Sequence, residues 1–213
     1  MSETFTIINS TLDMVEELEA VQRASFPTMT EEELITAEKY AAQIERFPEG
    51  QLALVTDSGK IVASSTDFRT IAEAINFDHY EHRYIEVSDN NWLGHHQPDG
   101  DWLYGACIGV IPDYRRRGLS TMLYNARHNL VRRFNLRGQV TGGLLAGYGA
   151  YKNKMSVEDY VDKVIAGKIF DPTVSIQLKL GFTIYGIIQD YVDDPGCDNK
   201  AAFIVWNNPD YQP

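Results

Sequence analysis

The stretch that decides the fold reads Val110-Ile111-Pro112-Asp113-Tyr114-Arg115-Arg116-Arg117-Gly118-Leu119-Ser120. The apolar run Trp102 to Val110 precedes the loop and predicts a buried strand. The segment Leu119 to Phe134 follows it and predicts an amphipathic helix, because its apolar residues recur on one helical face. The order of strand, short loop, glycine and helix therefore places Arg115 to Ser120 at a helix N-terminus.

A helix N-terminus of this composition is predicted to bind a pyrophosphate. The first N–H groups of a helix lack an intrahelical partner, and the helix dipole favours negative charge there. Gly118 has no Cβ, so a ligand can approach the backbone closely. The run Arg115 to Arg117 opposes the dipole unless an anion is bound, and arginine suits bidentate contact with phosphate. The spacing matches neither a Walker A loop nor G-x-G-x-x-G.

Composition narrows the class of protein. The chain has 213 residues and a formal net charge of −11, which argues against general binding of nucleic acid and is compatible with a cationic amine substrate. No apolar run approaches the roughly 20 residues needed to span a bilayer, so no membrane partner is expected. The acidic N-terminus lacks an apolar signal core. Cys107 and Cys197 suggest neither a disulfide framework nor a metal site, and a cytoplasmic, reduced setting fits best.

The remaining pattern predicts a mixed α/β sheet, since strands alternate with helices before a terminal hairpin. Thr30 is the expected N-cap of a helix over Glu31 to Arg46. Asp57-Ser58-Gly59 predicts a hairpin turn between strands at 51–56 and 60–65. A further helix is expected from Asp171-Pro172, its N-terminal signal, to Leu180, with Gly181 as its C′ glycine.

The segment 67–100 is polar, aromatic and rich in His and Asn, and it is predicted to be a long insertion. Its histidine pairs, His79 with His82 and His95 with His96, lack the spacing and companions of a metal site, so no metal is expected. Tyr80, His82, His95 and His96 are candidates for a substrate mouth, although a solvated loop is the preferred interpretation. The acidic cluster Asp190, Asp193 and Asp194 is a candidate for attracting an amine, although solvated surface is the preferred interpretation.

The stretch from Val110 to Ser120 resembles the acetyl-CoA-binding signature of the GNAT acetyltransferases, Arg/Gln-x-x-Gly-x-Gly/Ala. Ser120 stands at the last small position, and Arg116 stands where the family often has its middle glycine. The run Leu178-Lys179-Leu180-Gly181-Phe182 is similar to the family's helix-to-strand junction. The resemblance implies a GNAT fold: a mixed, mostly antiparallel sheet with a central splayed parallel pair, flanked by helices.

The same resemblance implies acetyl-CoA or coenzyme A as co-substrate. Pantetheine would pair with backbone groups freed where the strand ending at Val110 splays from the next strand. The residues that it implies for cofactor binding are Ile108, Gly109, Val110, Arg115, Arg116, Arg117, Gly118, Leu119 and Ser120. It also implies one domain over residues 1–213, with insertions at about 67–100 and 146–170.

A narrower resemblance rests on Gly142-Gly143 through Gly147-Tyr148, on Met155-Ser156-x-Glu158-x-Tyr160-Val161 and on the ending Trp206-Asn207-Asn208-Pro209. These residues look like the GNAT domain fused to nitrilase-type amidohydrolases in some bacteria. This likeness leaves the acceptor substrate open.

The residues that would carry protons depart from the family pattern. Many members have an acid tyrosine four residues before the glycine of Leu-Gly-Phe, and that position is Gln177, whose amide cannot titrate. Some members have a glutamate base on the strand before the loop, and that position is Tyr104. Tyr104 either forms a site pair with Cys107 or packs, and packing is preferred. Tyr148 and Tyr151 are alternative acids, and a water relay is a further option.

The sequence thus predicts an acyl-CoA-dependent N-acetyltransferase. It would move an acetyl or other short acyl group directly to a primary amine in a ternary complex. The expected partner is a small-molecule amine or a peptide amine, and a homodimer is an allowed assembly. The alternative is a sensor or partner-binding module that holds acyl-CoA without turnover, and Gln177 motivates it. A covalent route would need Cys107 as nucleophile.

Overall fold

The computed structural model describes residues 3–213. Its strands are β1 (Phe5–Asn9), β2 (Gln51–Thr56), β3 (Ile61–Thr70), β4 (Trp102–Val110), β5 (Gly138–Leu144), β6 (Thr183–Ile188) and β7 (Ala201–Asn207). Its helices are α1 (Val15–Ser25), α2 (Ala37–Arg46), α3 (Ala72–Ile75), α4 (Tyr84–Val87), α5 (Leu119–Arg133), α6 (Val157–Ile165) and α7 (Val174–Lys179). Within this part of the chain, no helix has the length and apolar character to cross a bilayer.

All of these strands belong to one sheet, in the order β1-β2-β3-β4-β5-β7-β6. Every neighbouring pair is antiparallel except β4 and β5, which are parallel. The parallel pair is joined only at Trp102↔Gly138, Leu103↔Gln139 and Tyr104↔Val140. Beyond Tyr104 the two strands separate, so the predicted mixed sheet with a splayed central pair is confirmed.

A bulge lies where β4 leaves β5. Thr66 pairs with Cys107 and Asp67 pairs with Gly105, so Ala106 is an extra residue on β4. Bulges bend the strand that contains them and increase its local twist. The bend therefore falls at the point where the cleft between β4 and β5 opens.

Strand β7 shows how the sheet is buried on both faces. Ile204 and Trp206 pack in the cluster that joins α5, α6 and α7 to the sheet. Phe203 and Val205 pack in the opposite cluster, which includes Ile75, Tyr84 and Leu93 from the 71–100 segment. Alternate side chains of a strand point to opposite faces. The 71–100 segment consequently covers one face of this part of the sheet, and α5, α6 and α7 cover the other.

Two of the predicted boundaries were wrong. The second helix begins at Ala37, with the Thr36 hydroxyl accepting from the Lys39 N–H, rather than at Glu31 with Thr30 as its cap. Its first turn is anchored by the Glu19 carboxylate, which accepts from the Ala37 N–H at 2.7 Å. Strand β3 runs to Thr70 instead of ending at residue 65, because β4 provides a pairing partner as far as Trp102↔Thr70.

The signals around α7 were confirmed. Asp171 is buried, and its carboxylate accepts from the N–H groups of Thr173 and Val174 at 2.8 Å each. Gly181 has φ +91°, the left-handed conformation expected of a C′ glycine. These two ends hold α7 beside the cleft.

Candidate functional site

A cleft of about 660 Å³ opens where β4 and β5 separate. This volume lies within the range of roughly 300–1,000 Å³ that is usual for small-molecule sites. One wall is formed by Ile108 and Val110 of β4 with the loop and first turn of α5, and the other by α7 and the residues before it. The lining includes Ile108, Val110, Tyr114, Arg115, Arg116, Gly118, Leu119, Ser120, Thr121, Tyr124, Pro172, Thr173 and Ile176.

The N-terminus of α5 faces this cleft without a side-chain cap. Gly118 is the N-cap residue and has φ +78°, which glycine adopts at little cost. Arg116 also has a positive φ, +62°, where a residue with a Cβ pays roughly 1–2 kcal/mol. This strain explains why a glycine suits the position that Arg116 occupies. The first-turn N–H groups of α5 are left for an anion.

The arginines of the loop have three different environments. Arg115 donates from Nε to the Val110 carbonyl at 3.0 Å and from the other end of its guanidinium to the Ser25 carbonyl at 2.8 Å. Arg117 turns to Glu3, at 2.9 Å, and its guanidinium lies over the Tyr114 ring. Among residues 3–213, Arg116 has no ion pair, and its side chain lines the cleft. Arg116 is therefore the side chain best placed to meet a phosphate.

The edge of β4 offers backbone groups to the cleft. The Ile111 N–H donates to Val62 on the β3 side. Because N–H groups alternate along a strand, those of Val110 and Ile108 point the other way, towards the gap. Gly109 faces α1, where a Cβ would lie 2.9 Å from the Ser25 hydroxyl. The N–H groups of Ile108 and Val110 can thus pair with an extended ligand, whereas the Val110 carbonyl already accepts from Arg115.

A smaller chamber of about 90 Å³ lies next to the cleft. Phe26, Ile108, Tyr124, Leu144 and Thr173 line both, so the two spaces are adjacent. The deeper lining includes Gln22, Met29, Tyr84, Cys107, Arg127, Thr141, Gln177, Tyr191 and Val192. No aspartate or glutamate is part of this lining in residues 3–213.

Gln177 and Tyr124 meet between the cleft and the chamber. The Gln177 amide donates to the Tyr124 hydroxyl at 2.7 Å, and both side chains are buried. Burial raises the pKa of Tyr124, against the opposing effects of Arg127 and of this hydrogen bond, so the phenol stays protonated. Gly143 makes room for Gln177, since a Cβ there would collide with its carbonyl oxygen. Tyr124 is a residue of the candidate site that the sequence did not single out.

Arg127 is a second residue that sequence reasoning missed. Its side chain lines the chamber and is paired with Asp67 at 2.8 Å, and both are almost fully buried. It also donates to the Ser65 hydroxyl and to the carbonyls of Thr66 and Cys107. Burial raises the pKa of Asp67, whereas Arg127 lowers it. The pair ties α5 to the bulge between β3 and β4.

Tyr104 and Tyr148, both candidates from the sequence, lie in the core. Tyr104 stacks on Phe68, and its hydroxyl is 2.6 Å from His82 Nε2 and 3.1 Å from the Tyr191 hydroxyl. Only Tyr191 of this group lines the chamber. The Tyr148 hydroxyl donates to the Met155 carbonyl at 3.4 Å, and Tyr148 lines neither the cleft nor the chamber.

Cys107 lines the chamber, but burial raises the pKa of its thiol to about 12. It is therefore a neutral thiol near pH 7, which is a poor nucleophile.

The histidines proposed for a substrate mouth lie elsewhere. His96 stacks on Phe47 and accepts from the Arg69 N–H, and neither His95 nor His96 lines the cleft or the chamber. His82 does not line the chamber either, but it hydrogen-bonds to Tyr104 and its ring lies edge-on to Tyr191 with the centroids 5.6 Å apart. The part of the chain that the structure describes contains no group of three or more His, Cys, Asp or Glu side chains arranged for a metal.

Two parallel strands that splay apart beside an uncapped helix N-terminus define a protein of the GNAT type. No family model matches the chain. It is 30% identical over 211 residues to an uncharacterized N-acetyltransferase, YkwB, of Bacillus subtilis (strain 168), covering 99% of this chain and 92% of that protein. The chain therefore belongs to the GNAT N-acetyltransferase family.

Two further comparisons are with proteins whose names give other activities. The chain is 36% identical over 196 residues to the probable hydrolase YhcX of Bacillus subtilis (strain 168), which covers 91% of this chain. It spans only 36% of that longer relative. The GNAT-like decarboxylase GphF, solved in complex with isobutyryl-CoA, superposes with a TM-score of 0.75 at 19% identity, over 95% of this chain and 98% of that one. At this identity the likeness concerns the fold.

Proposed function

We propose that this protein transfers an acetyl or other short acyl group from acyl-CoA to a primary amine, directly, in a ternary complex. The observation that carries the proposal is that the cleft at the uncapped N-terminus of α5 and the chamber beside Tyr124 lie side by side and share lining residues. One end suits a pyrophosphate and the other end suits a reacting thioester. The GNAT-like decarboxylase with the same fold holds an acyl-CoA, which supports this choice of co-substrate.

The pyrophosphate would lie against the first-turn N–H groups of Leu119 and Ser120, where the helix dipole favours an anion. Arg116, exposed at the cleft, would neutralise a phosphate. Arg115 would act indirectly, because its guanidinium already joins the Val110 and Ser25 carbonyls. Arg117 would contribute its backbone rather than its side chain, which is paired with Glu3.

The thioester would lie where the cleft meets the chamber. The Ile108 N–H points towards the gap, and it would donate to the carbonyl oxygen as negative charge develops there. Pantetheine would pair with β4 along Ile108 and Val110, in the place that β5 vacates. The splayed pair thus supplies both the binding edge and the oxyanion donor.

Tyr124 would act as the general acid, because the Gln177 amide has no titratable proton to give. Because Gln177 donates to the Tyr124 oxygen, the Tyr124 proton is available to the leaving sulfur. The amine nitrogen attacks the carbonyl carbon, and the carbon–sulfur bond breaks. Tyr124 gives its proton to sulfur and takes one from nitrogen, so that it ends as a neutral phenol beside an amide and a thiol.

Direct transfer is favoured over a covalent intermediate. The thiol of Cys107 has a pKa raised to about 12 by burial, so it offers almost no thiolate near pH 7.

The size of the chamber limits the acceptor amine, since a volume of about 90 Å³ holds only a narrow group. A slender alkyl amine or a peptide N-terminus with a small first side chain fits such a space.

We also propose that residues 1–213 act as one domain, with the segments at about 67–100 and 146–170 as insertions. The strands of the described residues, from β1 near the start to β7 near the end, all belong to one sheet, which supports this proposal.

The test is to titrate the protein with acetyl-CoA by calorimetry and then to follow thiol release with a panel of alkyl amines, polyamines and short peptides. Micromolar binding and amine-dependent thiol release are expected. A matched variant, Arg116→Gln, should weaken binding, and Arg117→Gln, whose side chain faces Glu3, should do so less. No binding at millimolar acetyl-CoA would sink the proposal. Tight binding with no release for any amine would favour the non-catalytic module instead.

A further inference from the structure

Three hydrogen-bonded side chains lead out of the chamber. Tyr191 lines the chamber, and its hydroxyl is 3.1 Å from the hydroxyl of Tyr104. The Tyr104 hydroxyl is in turn 2.6 Å from Nε2 of His82. Tyr191 and Tyr104 are buried, whereas His82 is only partly buried. The row therefore connects the chamber with a ring that borders solvent.

The contacts of His82 determine the direction in which this row can pass a proton. Nδ1 of His82 is 2.6 Å from the carbonyl oxygen of Tyr80. A carbonyl can only accept, so Nδ1 carries the hydrogen and Nε2 of the neutral ring is an acceptor. Tyr104 then donates to His82, and Tyr191 donates to Tyr104. The Tyr191 oxygen also interacts with the Gly142 N–H, and its second lone pair is left for a donor in the chamber.

The electrostatic environment keeps each member neutral. Burial lowers the pKa of His82, and the carboxylates of Glu81 and Glu86 on its own segment oppose this only in part. Burial also raises the pKa of Tyr104 and of Tyr191. Near pH 7 the row is thus two phenols and a neutral imidazole, the state in which a proton can enter at one end.

Packing holds the row in place. The Tyr80 ring stacks on Phe203 with a centroid distance of 5.1 Å and crosses β6 at Gly186, where a Cβ would collide with it. This contact positions the carbonyl that orients His82. The Tyr191 ring lies against Gly142, where a Cβ would also collide. Each end of the row therefore depends on a glycine in the sheet.

We propose that Tyr191, Tyr104 and His82 form a proton relay that deprotonates the acceptor ammonium, with His82 as the terminal acceptor. This inference rests on the proposed acyl transfer. The ammonium gives one proton to Tyr191, Tyr191 gives its own to Tyr104, and Tyr104 gives its own to Nε2 of His82. The products are a neutral amine, two unchanged phenols and an imidazolium, which loses its proton to water. The 71–100 segment thereby supplies the base.

The relay is tested by the pH dependence of kcat/KM for the amine in wild type, Tyr104→Phe and His82→Gln. Tyr104→Phe removes one oxygen from the middle of the row, and a loss of about 10²-fold is expected, in line with general base catalysis. Wild-type kcat/KM should fall as pH drops through the pKa of His82, which lies below its ordinary 6.5. His82→Gln should lack this acidic limb. Tyr185→Phe, which removes an exposed phenol hydroxyl outside the cleft and chamber, is the control and should behave as wild type.

A second readout does not need turnover. Nitrogen NMR of the imidazole should show His82 neutral at pH 7 with its hydrogen on Nδ1, and Tyr104→Phe should shift the Nε2 resonance. A charged ring, or hydrogen on Nε2, would overturn the relay. So would wild-type transfer that survives within twofold in both variants, which would leave the proposed function standing. If wild type transfers to no amine, the proposed function and the relay fail together.

Discussion

The side-chain amide of Gln177 donates a hydrogen bond to the hydroxyl of Tyr124 across 2.7 Å. Gln177 stands on α7, and Tyr124 stands on α5 at the boundary between cleft and chamber. The position where many family members have a tyrosine thus holds an amide that orients a tyrosine from another helix. The hydroxyl thus stands on the other helix, and in the proposed reaction it would still supply a donor for the leaving sulfur.

Tyr124→Phe should lower kcat by about 10²-fold and leave the affinity for acetyl-CoA nearly unchanged. Only the proton donor is lost, and a positioned donor is worth roughly 10²–10⁴ in rate. Steady-state kinetics with a thiol-detecting reagent, together with calorimetry, measure the two effects. Gln177→Met, which keeps the length and removes the hydrogen bond, should have a smaller effect on kcat. An unchanged kcat in Tyr124→Phe would exclude Tyr124 as the donor.

Arg116→Gly should stabilise the fold and weaken the binding of acetyl-CoA at the same time. The φ of +62° at Arg116 costs a residue with a Cβ about 1 kcal/mol, which glycine recovers in part. The cleft also loses a guanidinium. Urea denaturation and calorimetry separate the two effects, and Arg116→Ala, which keeps the strain, should weaken binding without stabilising. An Arg116→Gly variant that is less stable than wild type would contradict the backbone strain inferred at Arg116.

Asp67→Asn should reduce the free energy of unfolding by about 3–5 kcal/mol, because it leaves Arg127 as a buried charge without its partner. The control is Asp210→Asn, which breaks the exposed pair with Arg132 at 2.8 Å. An exposed pair is worth at most about 1 kcal/mol. Chemical denaturation at pH 7 measures the free energy of unfolding of both variants. Equal losses in the two would show that burial does not make the Asp67–Arg127 pair more costly to break.

His128 should make the fold less stable in mild acid. It is buried, stacked on Trp206 at 3.8 Å, and burial lowers its pKa to about 4 from the ordinary 6.5. The unfolded chain therefore binds more protons between these values, and the stability due to the neutral ring is present above pH 6.5 and lost as the pH falls towards 4. The full effect is at most about 3 kcal/mol. Denaturation of His128→Phe and wild type across this range should show a difference that shrinks as the pH falls.

The part of the site that could be predicted from the sequence lies within one short segment. Val110 to Ser120 includes a strand end, a loop and a helix start, so local signals are enough to place an anion at Gly118. The sequence grouped the Arg117 side chain with the arginines expected to contact phosphate. In the structure it pairs with Glu3, which is more than a hundred residues away in the chain. Identical neighbours in a loop cannot be told apart by composition.

The reacting end of the cleft could not be predicted in the same way. Tyr124 and Arg127 stand on a helix that reads simply as amphipathic, and the contacts that give them a role come from Gln177 and Asp67 on distant elements. His82 lies in a segment without periodicity and meets Tyr104 only because that segment folds over the sheet. The signal that pointed there was indirect, namely that the family's acid and base positions hold Gln177 and Tyr104.

The sequence by itself determined the order of the main elements and the helix start after Gly118, because these depend on residues that are neighbours along the chain, whereas the splayed pair of β4 and β5 followed only from the resemblance to the GNAT family. Only the tertiary structure decided which side chains line the chamber, which arginine faces the cleft, and that Tyr191, Tyr104 and His82 form one row. The physical reason is that a hydrogen bond depends on positions defined to a few tenths of an ångström. Such positions arise from packing among distant segments, and no local pattern in the chain encodes them.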